Sequence, residues 1–204
     1  KKEIFSLDKL DYTHSRDYFK SGIKTCMNMG LSFEKGFECE IKSNIPIQAG
    51  TSSSSAIVVS WINFLAQIAD KKPKWSLEKI GKLAYQTECV EFGEPGGMMD
   101  QYITSCGGML LIKSEPKVTV EKIDSELGSF VLGDSGELKN TLDILDRCKT
   151  SRIKVFEKIK AVTSQFDLHT CKDDLDVSFL SKIEKNLFFA TLKNRNLLEK
   201  SLKE

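Results

Sequence analysis

Hydrophobic and polar positions follow two different periods in the first part of the chain, and each period predicts a different kind of element. Apolar residues near helical spacing, or in one nearly continuous run, predict three helices, over residues 17–30, 56–69 and 77–93. Alternating or short apolar runs predict four strands, over residues 36–43, 108–113, 118–120 and 129–132. The strands do not alternate regularly with helices, so the pattern indicates an α+β or α/β architecture with antiparallel strands rather than a doubly wound sheet.

The second part of the chain has a different pattern, dominated by helix-forming residues. Long amphipathic runs predict helices over residues 141–162 and 178–202, and the polar stretch 169–176 connects them. We therefore expect a domain boundary near residues 127 and 128. The sequence divides into a first domain of residues 1–127, which holds three of the four predicted strands, and a helix-rich second domain of residues 128–204.

Composition and charge exclude several classes of protein. Among 204 residues, 40% are hydrophobic and the formal net charge is only +1, which argues against disorder and against a strongly basic nucleic-acid-binding domain. The six cysteines form no CxxC pair, so we expect reduced, mostly buried thiols rather than a zinc site. The chain opens on charged residues, and its most apolar run is too short to span a bilayer. We expect a cytoplasmic protein that has no membrane or nucleic-acid partner.

The first segment with candidate chemistry is the small-residue loop that precedes the apolar helix. It reads Pro-Ile-Gln-Ala-Gly-Thr-Ser-Ser-Ser-Ser-Ala over residues 46–56. The amino end of a helix leaves backbone N–H groups unpaired and attracts phosphate, and small side chains let a phosphate approach the backbone. The alternative is an ordinary serine-capped helix after a glycine turn, and the sequence alone leaves both interpretations open. The segment is not a Walker A loop, because no Gly-Lys-Ser/Thr closes it.

Three carboxylates are the other candidates. Asp100 follows the compact turn at residues 93–98, where it could accept or orient a substrate hydroxyl proton or simply cap the next helix. Glu88 and Glu91 lie on or beside the apolar side of the preceding predicted helix. A carboxylate in such a place requires a partner, either a metal ion or a Lys or Arg side chain. On a regular helix Glu91 lies deeper in the apolar stripe than Glu88.

Two of these segments together resemble the GHMP kinases, the family of galactokinase, homoserine kinase, mevalonate kinase and phosphomevalonate kinase. The first resembles the family's phosphate-binding motif and reads Pro46-x-x-Ala49-Gly50-x-Ser52-Ser53-Ser54-x-Ala56. The second resembles the catalytic-aspartate segment of galactokinase-like sugar kinases and reads Gly93-x-Pro95-x-Gly97-x-Met99-Asp100-Gln101. The stretch 17–22 also resembles the family's helix ahead of the phosphate loop. The resemblance covers residues 17–101 well and the helical remainder poorly.

The resemblance implies a fold and a set of site residues. The fold would be the α+β GHMP kinase fold, with a ribosomal-protein-S5-like first part and a ferredoxin-like second part, incomplete in this chain. Asp100 would face the phosphate-accepting hydroxyl, either as the base or as an orienting group, and Ser54 and Glu88 would bind Mg²⁺. The ATP phosphates would lie against the loop and the first helical turn, at Ala49, Gly50, Ser52, Ser53, Ser54 and Ser55.

The resemblance also has departures, and two functional interpretations follow from it. Gln48 stands where the family usually has glycine, Thr51 stands where it usually has leucine, and the family's N-terminal and C-terminal motifs are absent. The chain is then either the middle of a longer protein or a degenerate relative. The first interpretation is an ATP- and Mg²⁺-dependent kinase that phosphorylates a sugar hydroxyl. The alternative is a non-catalytic relative that binds nucleotide or sugar and acts through a partner. The sequence leaves the particular sugar and the oligomeric state open.

Overall fold

The computed structural model describes residues 2–47, 49–125, 128–133, 136 and 141–203. Two compact units make up the chain, Lys1–Leu142 and Asp143–Glu204. The described elements are α1 Tyr18–Asn28, α2 Ser53–Ile68, α3 Leu77–Tyr85, a π-helix Gln86–Val90, α4 Met99–Cys106, β1 Met109–Lys113, β2 Thr119–Ile123, α5 Thr141–Val162 and α6 Lys182–Ser201.

Helices α1, α3 and α6 begin where a side chain satisfies one of the first backbone N–H groups. Asp17 caps α1 by accepting from the Lys20 N–H, and Ser76 caps α3 by accepting from the Lys79 N–H at 3.2 Å. Ser181 and Glu184 form a reciprocal capping box at α6. α2 begins three residues earlier than its apolar run predicts, because the serines before Ala56 are themselves helical.

The core of the first unit lies between α1, α2 and α3. Ile23, Val58, Ile62 and Leu83 are fully buried there, beside the aromatic side chains of Phe19, Trp61, Phe37 and Phe64. Glycine at residue 81 allows α3 and α4 to approach closely, since a Cβ there would lie 2.6 Å from the Ser105 hydroxyl and 3.1 Å from the Tyr102 Cα. This close packing holds α4 against the helices that form the candidate site.

A single hairpin makes up the sheet in the described part of the chain. β1 and β2 are antiparallel and pair from Met109 opposite Ile123 to Lys113 opposite Thr119, close to the two central predicted strands. The other two predicted strands are wrong, because no neighbouring strand completes their backbone hydrogen bonds among the described residues. Residues 36–43 have no regular secondary structure, and Val131 in the 129–132 segment is 96% exposed.

The second unit contains α6 and all of α5 except its first two residues, and both helices agree with the predicted ones. Its core includes Val155, Ile159, Phe188 and Leu192. Arg195 on α6 fixes the polar connector by donating to the carbonyl oxygens of Leu168 and Cys171 at 2.9 and 2.8 Å and to Asp173 at 2.8 Å. The predicted boundary at residues 127 and 128 involves a residue outside the described part and stays a prediction.

Two expectations from composition have structural outcomes. The six cysteines are free, but only Cys26 and Cys89 are buried, so the expectation of mostly buried thiols is wrong. Among the described helices, none combines the length and the apolarity that a membrane span requires. The architecture is mixed, with helices and a small antiparallel sheet, and is compatible with the expected α+β class.

Candidate functional site

The amino end of α2 presents backbone N–H groups without a side-chain cap. Its N-cap residue, Ser52, has φ 54° and ψ 37°, and its hydroxyl makes no capping hydrogen bond. The first helical bond runs from the Ala56 N–H to the Ser52 carbonyl at 3.0 Å, which leaves the N–H groups of residues 53–55 outside the helical ladder. Gly50, at φ 76°, supplies the left-handed turn before them. This geometry suits an anion such as phosphate.

The predicted phosphate-binding residues divide into an outer group and one inner residue. Ala49 and Gly50 are exposed, and Ser52, Ser53 and Ser54 are half-buried. Ser55 is buried, and its hydroxyl points to the interior rather than to the loop, where it donates to Glu88 Oε2 at 2.8 Å. Gln48, in the same loop, lies outside the described residues. The outer serines therefore line the approach to the helix, while the Ser55 side chain supports a carboxylate behind it.

The π-helix decides which of the two candidate glutamates is buried. Its backbone bonds span five residues, as from the Glu91 N–H to the Gln86 carbonyl at 3.0 Å, so each residue advances less around the axis than in an α-helix. Thr87, Glu88 and Cys89 are consequently buried, whereas Glu91 turns outward. The expectation from a regular helix, that Glu91 lies deeper than Glu88, is wrong for this reason.

Glu91 has a partner that explains it structurally. It accepts from the Lys24 ammonium at 2.8 Å and from the Tyr12 hydroxyl, on the outer side of α1. These two hydrogen bonds, together with the charge of Lys24, hold the pKa of Glu91 below its usual value against the smaller opposing effect of burial. Glu91 is therefore the member of the pair that forms an ordinary ion pair with lysine.

Glu88 is held in a buried polar cluster with Ser55 and Gln101, which lie on α2 and α4. Gln101 Nε2 donates to Glu88 Oε2 at 2.6 Å and to Ser55 Oγ at 3.2 Å. All three residues are at most 5% exposed. No Lys, Arg or His within the described ranges forms an ion pair with Glu88. The charge of Arg16 acts on Glu88 from a distance, but the Arg16 guanidinium is bonded to Glu94. Glu88 is thus a buried carboxylate without a direct ion pair in that part of the protein, a situation that is costly without a bound cation.

Asp100 lies in the first turn of α4, immediately before Gln101. Its side chain is exposed and does not cap the helix, whose N-cap residue is Met98. α4 packs against both α2 and α3, so the backbone at Asp100 adjoins the residue that bonds Ser55 and Glu88. The structure therefore brings together the segments of Ser55, Glu88 and Asp100.

The local charge around this cluster is negative. Burial first, and then the negative charges of Glu88, Glu94 and Asp100, raise the pKa of the Cys89 thiol to about 12, against the opposing effect of a hydrogen bond from Gln101. Glu94 is neutralised by Arg16, which donates to both of its carboxylate oxygens. Oxygen donors with uncompensated negative charge are the ligands that Mg²⁺ prefers, and Glu88 fits that role.

Sequence reasoning missed the contribution of Gln101 and the use of the Ser55 hydroxyl. Gln101 was visible only as a member of the motif around Asp100, and nothing in the hydrophobic pattern distinguishes it from a surface amide. The burial of Ser55 could have been expected from its position, since Ser55, Val58, Val59 and Ile62 follow at helical spacing and are all buried. No comparable signal identifies Gln101.

An uncapped helix amino end beside a buried carboxylate and a second exposed one is an arrangement typical of phosphate- and metal-binding enzymes. Comparison with known proteins gives the class directly. Residues 17–108 match the family described as GHMP kinases N terminal domain, which confirms the resemblance drawn from the two motifs. Residues 17–108 therefore match a GHMP kinase N-terminal domain, and every residue of the candidate site lies inside this match.

Two relatives show how far this similarity extends. The chain is 26% identical to a mevalonate kinase of Pyrococcus abyssi over 161 residues, which are 79% of this chain and 47% of the relative. It is 29% identical to a galactokinase of Clostridium perfringens over 108 residues, which are 50% of this chain and 27% of the relative. The chain spans about half the length, or less, of these curated relatives. No solved structure matches it significantly.

Proposed function

We propose that this chain is the phosphate- and metal-binding part of an ATP-dependent kinase that transfers the γ-phosphoryl group to a hydroxyl of a small molecule. The observation that carries the proposal is the buried Glu88 carboxylate, held by Ser55 and Gln101 without a cationic side chain, next to the uncapped amino end of α2. The family match supports the kinase class.

The chain's own residues have distinct roles in this proposal. The N–H groups of residues 53–55, with the small loop residues Ala49 and Gly50, would bind the ATP phosphates. Glu88 and the Ser54 hydroxyl would hold Mg²⁺, which supplies neutralisation of the phosphate charge when bound. Asp100, exposed at the start of α4, would orient the acceptor hydroxyl or accept its proton.

The acceptor is the more specific part of the proposal, and we infer that it is a sugar. The motif around Asp100 resembles that of galactokinase-like enzymes more than that of the other members, and a galactokinase is among the relatives. A mevalonate kinase matches over more of the chain, so the test must include acceptors other than sugars.

The experiment compares Asp100→Asn with the wild type in the whole protein, by measuring ATP consumption over a panel of sugars and other small alcohols. A role in proton transfer predicts a loss of kcat of about 10²- to 10⁴-fold with nucleotide binding unchanged. Asp124→Asn, an exposed aspartate beyond β2, is the matched control and should retain activity. Full activity in Asp100→Asn would remove this residue from the chemistry. Saturable nucleotide binding without turnover in the wild type would favour the non-catalytic alternative.

A further inference from the structure

We propose that Gln101 is a positioning residue, which fixes the Glu88 carboxylate so that one oxygen is kept for a divalent cation. This inference rests on the proposed function, because it concerns how the same carboxylate is presented. It assigns to Gln101 a role separate from that of Asp100, the residue next to it in the sequence.

The hydrogen bonds around Glu88 are distributed unequally between its two oxygens. Oε2 accepts from both Gln101 Nε2, at 2.6 Å, and Ser55 Oγ, at 2.8 Å. Oε1 accepts no hydrogen bond from the residues that the structure describes, and it is not among the fully enclosed atoms that lack a partner. One side of the carboxylate is thus fixed by two donors from two different helices, while the other side is left for a ligand from outside.

The orientation of the Gln101 amide follows from the same contacts. If the amide were turned over, Gln101 Oε1 would lie against the Glu88 carboxylate, and two acceptors would face each other. In the observed orientation Gln101 Oε1 is buried and has no hydrogen-bond partner among the described residues, which is unfavourable. The short bond from Nε2 to a charged acceptor offsets that cost, since hydrogen bonds to ionised groups are the stronger ones. Glu88 therefore determines how the Gln101 amide is oriented, and the Gln101 Oε1 atom is left without a hydrogen bond among the described residues.

The backbone that carries Gln101 is itself held firmly. The next residue, Tyr102, is buried, and its Cα packs where Gly81 lets α3 approach α4. A side chain on such a fixed helix can transmit the position of α4 to Glu88. Outer partners that orient a metal ligand typically change metal affinity by about 10- to 100-fold when they are removed.

The test measures the affinity of Mn²⁺ for the whole protein directly, by electron paramagnetic resonance with a non-hydrolysable ATP analogue present. Gln101→Met keeps the size of the side chain and removes its donor, and it should weaken Mn²⁺ binding by about 10- to 100-fold. Gln101→Asn keeps an amide but shortens the reach, and it should weaken binding in the same direction. Thr104→Ala, at an exposed position of the same helix, is the control and should bind as the wild type does.

The activation constant for Mg²⁺ and kcat, measured separately, distinguish a positioning role of Gln101 from a general effect on structure. In Gln101→Met, a higher Mg²⁺ concentration should restore kcat to near the wild-type value, whereas Asp100→Asn should stay impaired at any Mg²⁺ concentration. Tryptophan fluorescence of Trp61, which lies in the core of this unit, verifies that each variant is folded. A folded Gln101 variant that binds Mn²⁺ as tightly as the wild type overturns the inference and leaves the proposed function standing. Absence of Mn²⁺ and nucleotide binding in the wild type overturns both.

Discussion

Two carboxylates, Asp17 and Glu88, are buried in the first unit, and their negative charges are compensated in different ways. Asp17 is 2% exposed and pairs at 3.0 Å with the ammonium of Lys20, which is 4% exposed. Thr13 adds a backbone N–H to the same Asp17 oxygen at 3.2 Å. Glu88 is equally enclosed but receives only neutral donors, from Ser55 and Gln101.

This difference separates a buried charge that stabilises the fold from a buried charge that is available to bind a ligand. A buried ion that has its counter-ion and hydrogen bonds is complete within the fold, and removing one partner leaves an uncompensated charge. A buried carboxylate that has donors but no cation has an incomplete neutralisation, which a bound metal ion would complete. The Asp17–Lys20 pair therefore belongs to the fold, whereas Glu88 is the member of the comparison that we assign to binding.

The largest expected effect is on stability and concerns the complete pair. Lys20→Met removes the cation and leaves Asp17 buried alone, so we expect a loss of about 3–5 kcal/mol in the free energy of unfolding. Lys24→Met, which removes the exposed partner of Glu91, is the matched control and should cost no more than about 1 kcal/mol. Urea denaturation followed by tryptophan fluorescence measures both, since Trp61 and Trp75 lie in this unit. Equal losses in the two variants would contradict the assignment of the buried pair.

The next effect concerns the incomplete cluster. The MgATP complex, treated as one ligand at about 100-fold above its dissociation constant, should raise the free energy of unfolding by about 2.7 kcal/mol. Glu88→Gln keeps the side-chain shape and removes the charge, so this stabilisation should be lost while the metal-free protein stays folded. Glu91→Gln is the control, because that carboxylate is exposed and paired with Lys24, and it should retain the stabilisation. Thermal unfolding with and without the ligands gives the answer, and a response in Glu88→Gln equal to that of the wild type would argue against Glu88.

The smallest effect is a pH dependence of the Asp17 pair. Burial pushes the pKa of Asp17 upward, but the hydrogen bonds from Lys20 and Thr13 and the Lys20 charge together hold this pKa below its ordinary value. A carboxylate with a depressed folded-state pKa contributes stability above its unfolded pKa of about 3.9, and that contribution is lost as the pH falls through the folded-state pKa.

Comparison with Asp17→Asn isolates this contribution, because the other carboxylates are common to both proteins. The difference in unfolding free energy between wild type and variant should be constant near neutral pH and should shrink as the solution is acidified below about pH 4. Urea denaturation at a series of pH values measures it. A difference that stays constant through the acid range would show that the Asp17 charge contributes nothing to stability.

Local patterns predicted most helices of this protein well but not α4, and they predicted the strands less well. Helix signals are carried by neighbouring residues, such as the caps at Asp17 and Ser76, so they are visible in a short window. A strand also needs a partner elsewhere in the chain. The alternation over residues 36–43 is real, since Phe37 packs against Trp61, yet no described strand lies beside it to complete a sheet.

For the candidate site, sequence motifs identified the segments but not the contacts between them. The serines and Asp100 were found because their motifs are contiguous. The choice between Glu88 and Glu91 required the π-helix, which no hydrophobic period announces, and the bond from Gln101 joins residues 13 positions apart across two helices. These contacts arise from packing, which a single sequence does not encode in a readable local form.

The π-helix Gln86–Val90 also sets the register of the residues that follow it in this unit. Glu94, which binds Arg16, and α4, which packs against α2, lie in a register that depends on the extra residue in that turn. A chain shortened by one residue there would keep every reactive side chain and yet bring the wrong ones face to face. The relative positions of the acidic side chains in this unit therefore depend first on the number of residues in this turn, and only then on the chemistry of the side chains.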